Sequence, residues 1–253
     1  MIALNPADGT ERWVFDPRVD RSIRYGDFTS RGVSTWVDGR TAGDGACRRR
    51  IYVATIDARL IALDGRGGRP CADFGTAGTV DLRRGLRNAP FEAAEYQVTS
   101  PPAIVGDVVV VGSAVADNNR VEAASGEVRG FDARTGALLW AWDPVPQDPA
   151  DPAYATWQTP ESHRTGGANA WSVIAADPER GLVFVPTSSP SPDYFGGARP
   201  GDNRTPTPSW RCGRGRVRWC GTFRRCTTTC GTTTTRRRPR WSPSTVTGAR
   251  SPR

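Results

Sequence analysis

A chain of 253 residues that is 37% hydrophobic can bury the core of one large domain or two small ones, and its net charge of +8 would ordinarily point to nucleic acid or an anionic membrane. The charge is confined to one end. Residues 205–253 hold 12 arginines and no acidic residue, which leaves 22 basic against 26 acidic side chains in residues 1–204, a net of −4. A basic nucleic-acid-binding body is thereby excluded, and no run of 18 or more apolar residues offers a membrane span.

In chain order, Met1-Ile2-Ala3-Leu4 leads straight into a strand-like segment, without the charged and apolar regions of a leader peptide. The first predicted hairpin runs from Ile2 through Asn5 and Gly9 to Trp13. A strand is predicted from Ile51 to Thr55, and a second hairpin from Leu60 and Asp64 through Gly67 and Gly68. Strands follow at Ala103 to Gly112 and Gly181 to Pro186, with a third hairpin between them, from Gly130 through Thr135 and Gly136 to Trp140. The turn chemistry supports these assignments, because Asp and Asn bond to backbone two residues on and Gly supplies positive φ. No helical periodicity exceeds two turns, so the chain is expected to be all-β.

Recurring four-strand units with a Trp at a repeating place suit a β-propeller of roughly 40 to 50 residues per blade, on which spacing residues 1–204 hold about four blades. A β-sandwich is the alternative. Cys47 and Cys71 fit either one disulfide in an oxidising compartment or two buried thiols. His163, the only histidine, stands in a loop and is expected to be exposed, which disfavours a His-centred hydrolase or metal site. No Gly-rich loop joins a strand to a helix, so nucleotide binding is not indicated.

Several segments carry a family resemblance. Ala133 to Trp140, reading ARTGALLW, and its counterpart from Asn5 to Trp13 resemble the tryptophan-docking repeat of the quinoprotein dehydrogenases, which use pyrroloquinoline quinone (PQQ). Thr29 to Trp36 is similar to a family stretch whose arginine binds a carboxylate of the quinone, which makes Arg31 a cofactor candidate; a planar guanidinium can engage a carboxylate through two bonds. Upstream, Asp27 stands near where the membrane-bound glucose dehydrogenases carry a His, a departure that bears on substrate. Thr99-Ser100-Pro101-Pro102, then Gly112-Ser113 and Asp117-Asn118, resemble the glucose-dehydrogenase pattern TSPP, GS and DN. The resemblance implies Thr99 and Ser113 at the cofactor and Asp117 and Asn118 as ligands of Ca2+ or Mg2+, hard cations that take oxygen donors. Gly166 to Trp171 resembles the segment whose indole stacks beneath PQQ, which makes Trp171 a cofactor candidate. Ser189 falls where the methanol branch places a calcium-binding Asn and the glucose branch a Thr, and can offer an oxygen to the metal.

After Arg204 the composition turns to Thr, Arg, Cys and Pro without acids. Cys212, Cys220, Cys226 and Cys230 lack the paired C-x2-C spacing of a zinc site, and an arginine run binds phosphates without specificity. A frameshift accounts for the tail: shifting the reading frame by one base admits V-H-H-D-L-W-D-Y-D over Arg225 to Thr234, which resembles the family segment that supplies the catalytic aspartate. The expected domains are therefore a partial PQQ-binding propeller over 1–204 and an out-of-frame basic tail over 205–253, with no catalytic base in the chain.

The resemblance implies an eight-bladed propeller with tryptophan-docking repeats. It implies oxidation of a CH-OH group in a sugar, polyol or cyclitol, with ubiquinone as electron acceptor, at the periplasmic face of the inner membrane. No specific nucleic acid is expected as a partner. The competing reading is a non-catalytic PQQ-repeat scaffold for protein partners, which has no reason to keep Arg31, Asp117, Asn118 and Trp171 together.

Overall fold

The computed structural model describes residues 1–206, and the out-of-frame reading of the tail falls almost wholly outside them. The chain begins with a hairpin of β1 (Ile2–Leu4) and β2 (Glu11–Val14). A four-stranded antiparallel meander follows, β3 (Ser34–Val37), β4 (Arg49–Ala54), β5 (Arg59–Asp64) and β6 (Thr79–Asp81). Next come β7 (Tyr96–Gln97), β8 (Ala103–Val105), β9 (Val108–Val111) and β10 (Ala114–Val115). The last four strands are β11 (Val128–Asp132), β12 (Leu138–Trp142), β13 (Ala175–Asp177) and β14 (Leu182–Phe184). A second four-stranded sheet has the order β8-β9-β11-β12, β10 pairs separately with β7, and β13 and β14 form a hairpin.

These sheets stack face to face in chain order. Trp13 and Phe15 of the first hairpin pack on Ile51, Val53, Ile61 and Leu63 of the first meander. The other face of that meander, with Tyr52, Leu60 and Phe74, shares a larger core with Val109, Val111 and Phe131 of the second. Val110, Val128, Trp140 and Trp142 then pack against Ile174 and Val183 at the last hairpin. Strands buried on both faces read as runs such as Val108–Val111 or Leu60–Leu63, as seen here, in place of clean alternation. Polar clasps cross the central seam. The Tyr52 hydroxyl donates to the Ala133 carbonyl, and Arg134 bridges Asp38 at 3.0 Å and Asp107 at 2.9 Å while its guanidinium lies 4.8 Å from the Trp36 ring centroid.

The all-β expectation holds: the described residues contain only short 3-10 segments besides strands. The first and third predicted hairpins form as β1–β2 and β11–β12. The second does not close directly. After the turn at Gly65–Gly68 the chain makes one bridge, Leu63 to Pro70, and reaches its partner strand only at β6. Pro70 has no N–H to extend a ladder. The turn instead receives Trp13 from the preceding hairpin: the indole Nε1 donates to Gly65 O at 3.2 Å, and any Cβ on Gly68, at φ +67°, would overlap the ring. Cys47 and Cys71 form a disulfide with Cα atoms 5.8 Å apart, which decides between the two cysteine readings.

His163 corrects another expectation. It is buried, at 8% exposure, with its ring stacked on Tyr154 at 3.6 Å and Nδ1 2.9 Å from Pro146 O. The 3-10 segment Pro160–Arg164 turns it inward beside Trp157, so this long loop has an aromatic core of its own.

Candidate functional site

Arg31 lies just before β3, Thr99 just before β8 and Trp171 just before β13, so three consecutive sheets each contribute one residue at an equivalent place. Backbone and hydroxyl bonds join them. Arg31 N donates to Thr99 O at 2.9 Å and its Nη1 to the same oxygen at 3.4 Å. The hydroxyls of Thr99 and Ser100 donate to Trp171 O at 3.2 and 2.6 Å. The Arg31 guanidinium stands over the Trp171 ring, 5.5 Å from its centroid, and Trp171 is 48% exposed, so a large aromatic side chain reaches solvent beside a cation. Asp27 pairs with Arg31 at 3.2 Å across an exposed edge.

A second cluster adjoins the first through segment 166–171. The end of β9 approaches this segment so closely that a Cβ on Gly112 would collide with Ala170 O, and Asn169 Nδ2 donates to Ser113 O at 2.8 Å. Asn169 also accepts from the Ser188 hydroxyl at 3.1 Å, while Ala168 N donates to Ser189 O at 3.0 Å. Gly167, at φ +65°, lets the chain pass between Ser191 and Asp117. Asp117 and Asn118 stand on the excursion between β9 and β11, where Asp193 N donates to Asp117 O at 3.2 Å and Tyr194 N to Asn118 Oδ1 at 3.2 Å.

The electrostatics of this cluster are unbalanced. Burial, and then the neighbouring Asp193 carboxylate, push the Asp117 carboxyl up to about 6. Ser113 Oγ and Ser191 Oγ are buried without a hydrogen-bond partner among the described residues. Paired carboxyls with amide and hydroxyl oxygens at hand suit a hard divalent cation, which would offset both the burial and the Asp193 repulsion that raise Asp117. The Arg31 guanidinium with the half-exposed Trp171 ring suits a flat polycarboxylate. The residues present therefore fit both a tricyclic quinone acid and a divalent metal.

All seven residues singled out from sequence fall in this neighbourhood. Arg31, Thr99 and Trp171 make one bonded group; Ser113, Ser189, Asp117 and Asn118 border the adjoining one. Sequence reasoning missed Asn169, which ties β9 to the 188–191 loop although it stands inside the quoted Gly166–Trp171 stretch. It also missed Glu95, which takes two bonds from Arg120 at 3.0 and 2.8 Å and accepts from Ala124 N, fixing the excursion that carries Asp117. Nothing in its local sequence marks it.

Stacked antiparallel meanders with residues from successive sheets meeting at one site define a sector of a β-propeller. The family model described as "PQQ: Glucose/ethanol/alcohol dehydrogenase, beta-propeller domain" matches residues 1–208, and the chain belongs to that family. It is similar to quinoprotein glucose dehydrogenase A of Acinetobacter calcoaceticus, 34% identical over 211 residues, covering 79% of this chain and 26% of the relative. It is also similar to the quinate/shikimate dehydrogenase (quinone) of Acinetobacter baylyi, 39% identical over 184 residues, covering 71% of this chain and 22% of the relative. Among solved structures, the quinohemoprotein alcohol dehydrogenase of Comamonas testosteroni aligns with a TM-score of 0.61 at 27% identity, covering 80% of this chain and 28% of that one. The chain thus spans about a quarter of the length of these relatives. No helix among the described residues is long and apolar enough to cross a membrane.

Proposed function

We propose that this chain is a sector of a PQQ-dependent dehydrogenase that oxidises a CH-OH group of a sugar, polyol or cyclitol and passes electrons to a quinone, ubiquinone in the intact protein. The observation that carries the reading is the Arg31 guanidinium 5.5 Å from the ring of the half-exposed Trp171, on a segment whose other end, at Gly167, packs against Asp117. In this reading Arg31, Thr99, Ser113 and Trp171 hold PQQ, and Asp117, Asn118 and Ser189 hold Ca2+ or Mg2+. When bound, the quinone accepts the hydride equivalent and the metal polarises it. The protein's own part is to fix the acid through Arg31, to offer an aromatic platform at Trp171, and to hold that platform by the Thr99 and Ser100 hydroxyls.

The two four-stranded sheets are two whole blades, and the hairpins β1–β2 and β13–β14 are halves of two more, within an eight-bladed ring whose Trp residues dock neighbouring blades. The intact protein works at the periplasmic face of the inner membrane. Residues 205–253 are out-of-frame, a reading supported by a family match that ends at residue 208, close to the composition break. The chain as it stands then lacks the base that takes the alcohol proton, so it binds the cofactor without turning over substrate.

Equilibrium dialysis of the full chain against PQQ with calcium chloride tests this reading. Saturable binding is expected, weakened about tenfold or more in Arg31→Ala, the scale of one charge-assisted pair at about 1.5 kcal/mol or more. Binding that is absent with calcium, or unchanged in both Arg31→Ala and Trp171→Ala, overturns it.

A further inference from the structure

Away from that site, a groove of about 590 Å³ runs along the seam between the first and second four-stranded sheets. Its lining includes Arg59, Arg83, Arg84 and Arg129, Phe131, whose ring centroid lies 5.6 Å from the Arg129 guanidinium, and a single carboxylate, Asp81. The charges do not balance. Arg59 is met by Asp57 at 2.6 Å, while Arg83 and Arg84 share Asp81 at 3.1 and 3.6 Å. Arg129 is 3% exposed and forms no ion pair among the described residues. Its guanidinium donates only to neutral acceptors, the carbonyls of Leu82 and Arg84 and the Tyr96 hydroxyl. Those bonds satisfy its N–H groups without neutralising its charge, and a buried charge without a counter-ion is costly. Four guanidiniums against two carboxylates leave a surplus of two positive charges around a concave, partly apolar space.

We propose that this groove binds a small oxyanion group, a carboxylate or phosphate, held by the Arg83 and Arg84 forks and attracted by the buried charge of Arg129 behind them. Planar guanidinium forks bind such groups through paired N–H donors, and the low dielectric around Arg129 strengthens the attraction. The groove shares no side chain with the Arg31, Trp171 and Asp117 clusters, so the assignment stands apart from the proposed function. The oxyanion can arrive as a free small molecule or as the headgroup of an anionic lipid.

The test is arginine footprinting of the full chain with p-hydroxyphenylglyoxal at low ionic strength, read peptide by peptide so that the arginines of the tail do not contribute. Inorganic phosphate and vesicles of phosphatidylcholine with phosphatidylglycerol are the two probes. Labelling of Arg83 and Arg84 is expected to slow about fivefold with phosphate at about four times its Kd, because the free fraction is 1/(1 + [L]/Kd). Arg12, exposed on β2, should be unaffected. Protection by phosphate supports a free ligand, and protection by vesicles alone supports a lipid headgroup. Arg84→Glu, at a side chain that is 87% exposed and so leaves the fold intact, should abolish the protection of Arg83. The proposal is overturned if neither probe protects, if Arg12 is protected equally, or if Arg83 remains protected in Arg84→Glu.

Discussion

Removing the Cys47–Cys71 bridge tests how much of this sector's stability comes from confining its unfolded chain. The two cysteines are 24 residues apart in sequence, and the strands between them, β4 and β5, are already paired in register from Arg50 and Asp64 to Ala54 and Leu60. The native sheet therefore holds both ends without help, and the main effect of the bond falls on the unfolded state. Closing a loop of that length removes about 11 to 12 cal/mol/K of chain entropy, or about 3.5 kcal/mol at 25 °C. Cys71 is fully buried in the main core, so Cys71→Ala adds a cavity term of under about 1 kcal/mol for the lost sulfur. The double variant Cys47→Ala with Cys71→Ala should lose about 3.5 to 4.5 kcal/mol in urea unfolding followed by tryptophan fluorescence. Wild type under reductant should lose nearly as much, because it drops the bond but keeps the sulfur. A loss below about 1 kcal/mol in both would refute the reasoning, since an unfolded chain with a loop free to open has to gain that entropy.

Asp117 and Glu95 couple stability to pH with opposite signs. The Asp117 carboxyl, raised by burial and by Asp193 to about 6 from an ordinary 3.8, makes the folded state lose stability as pH climbs between those values. In chelator-treated protein Asp117→Asn should therefore be more stable than wild type by about 2 kcal/mol above pH ~7 and equal to it near pH ~4, as urea unfolding at both would show. Glu95 has the opposite sign. Burial works to raise its carboxyl, but the Arg120 pair and the amides of Phe91 and Ala124 outweigh it and hold the group below its ordinary 4.5. Its stabilisation is present above that value and is lost as pH falls through the lowered one. Glu95→Gln should cost about 2 kcal/mol at neutral pH, with a cost that shrinks in acid; a cost independent of pH would mean that charge is not what holds the excursion in place.

What the sequence made legible was chemistry that acts over a few residues. Asn5 and Gly9, or Asp132, Thr135 and Gly136, turn the chain by local bonds, and both hairpins form: Asp132 accepts from Arg134 N and Thr135 N at 2.9 and 2.8 Å. The second hairpin misled because Asp64 and Gly68 carry the same turn signal, while the continuation depends on Pro70 and on an indole arriving from another sheet. His163 misled for a similar reason. A Pro/Thr/Gln-rich loop reads as solvated, yet Tyr154 and Trp157 give it an interior. The candidate site residues were singled out only through motif resemblance. No local rule pairs Arg31 with Trp171 or Asp117 with Asp193, and Glu95, which has no motif around it, went unseen.

The geometry explains why such distant residues converge. Each four-stranded sheet is one turn of a repeating pattern, and the strands β3, β8 and β13 that open successive units pack beside one another. Residues just before these strands must then fall on neighbouring points of one line, and Arg31, Thr99 and Trp171 do so. The bonds between them follow that order, with Arg31 N reaching Thr99 O, and the Thr99 and Ser100 hydroxyls reaching Trp171 O. Each unit's backbone carbonyl is thus the acceptor that fixes the group offered by the unit before it. A repeat architecture with nearest-neighbour contacts can in this way build a shared site without any single sheet containing it. The identity of the side chain at each point, cation, hydroxyl or indole, then decides what the site binds, while the stacking fixes where it stands.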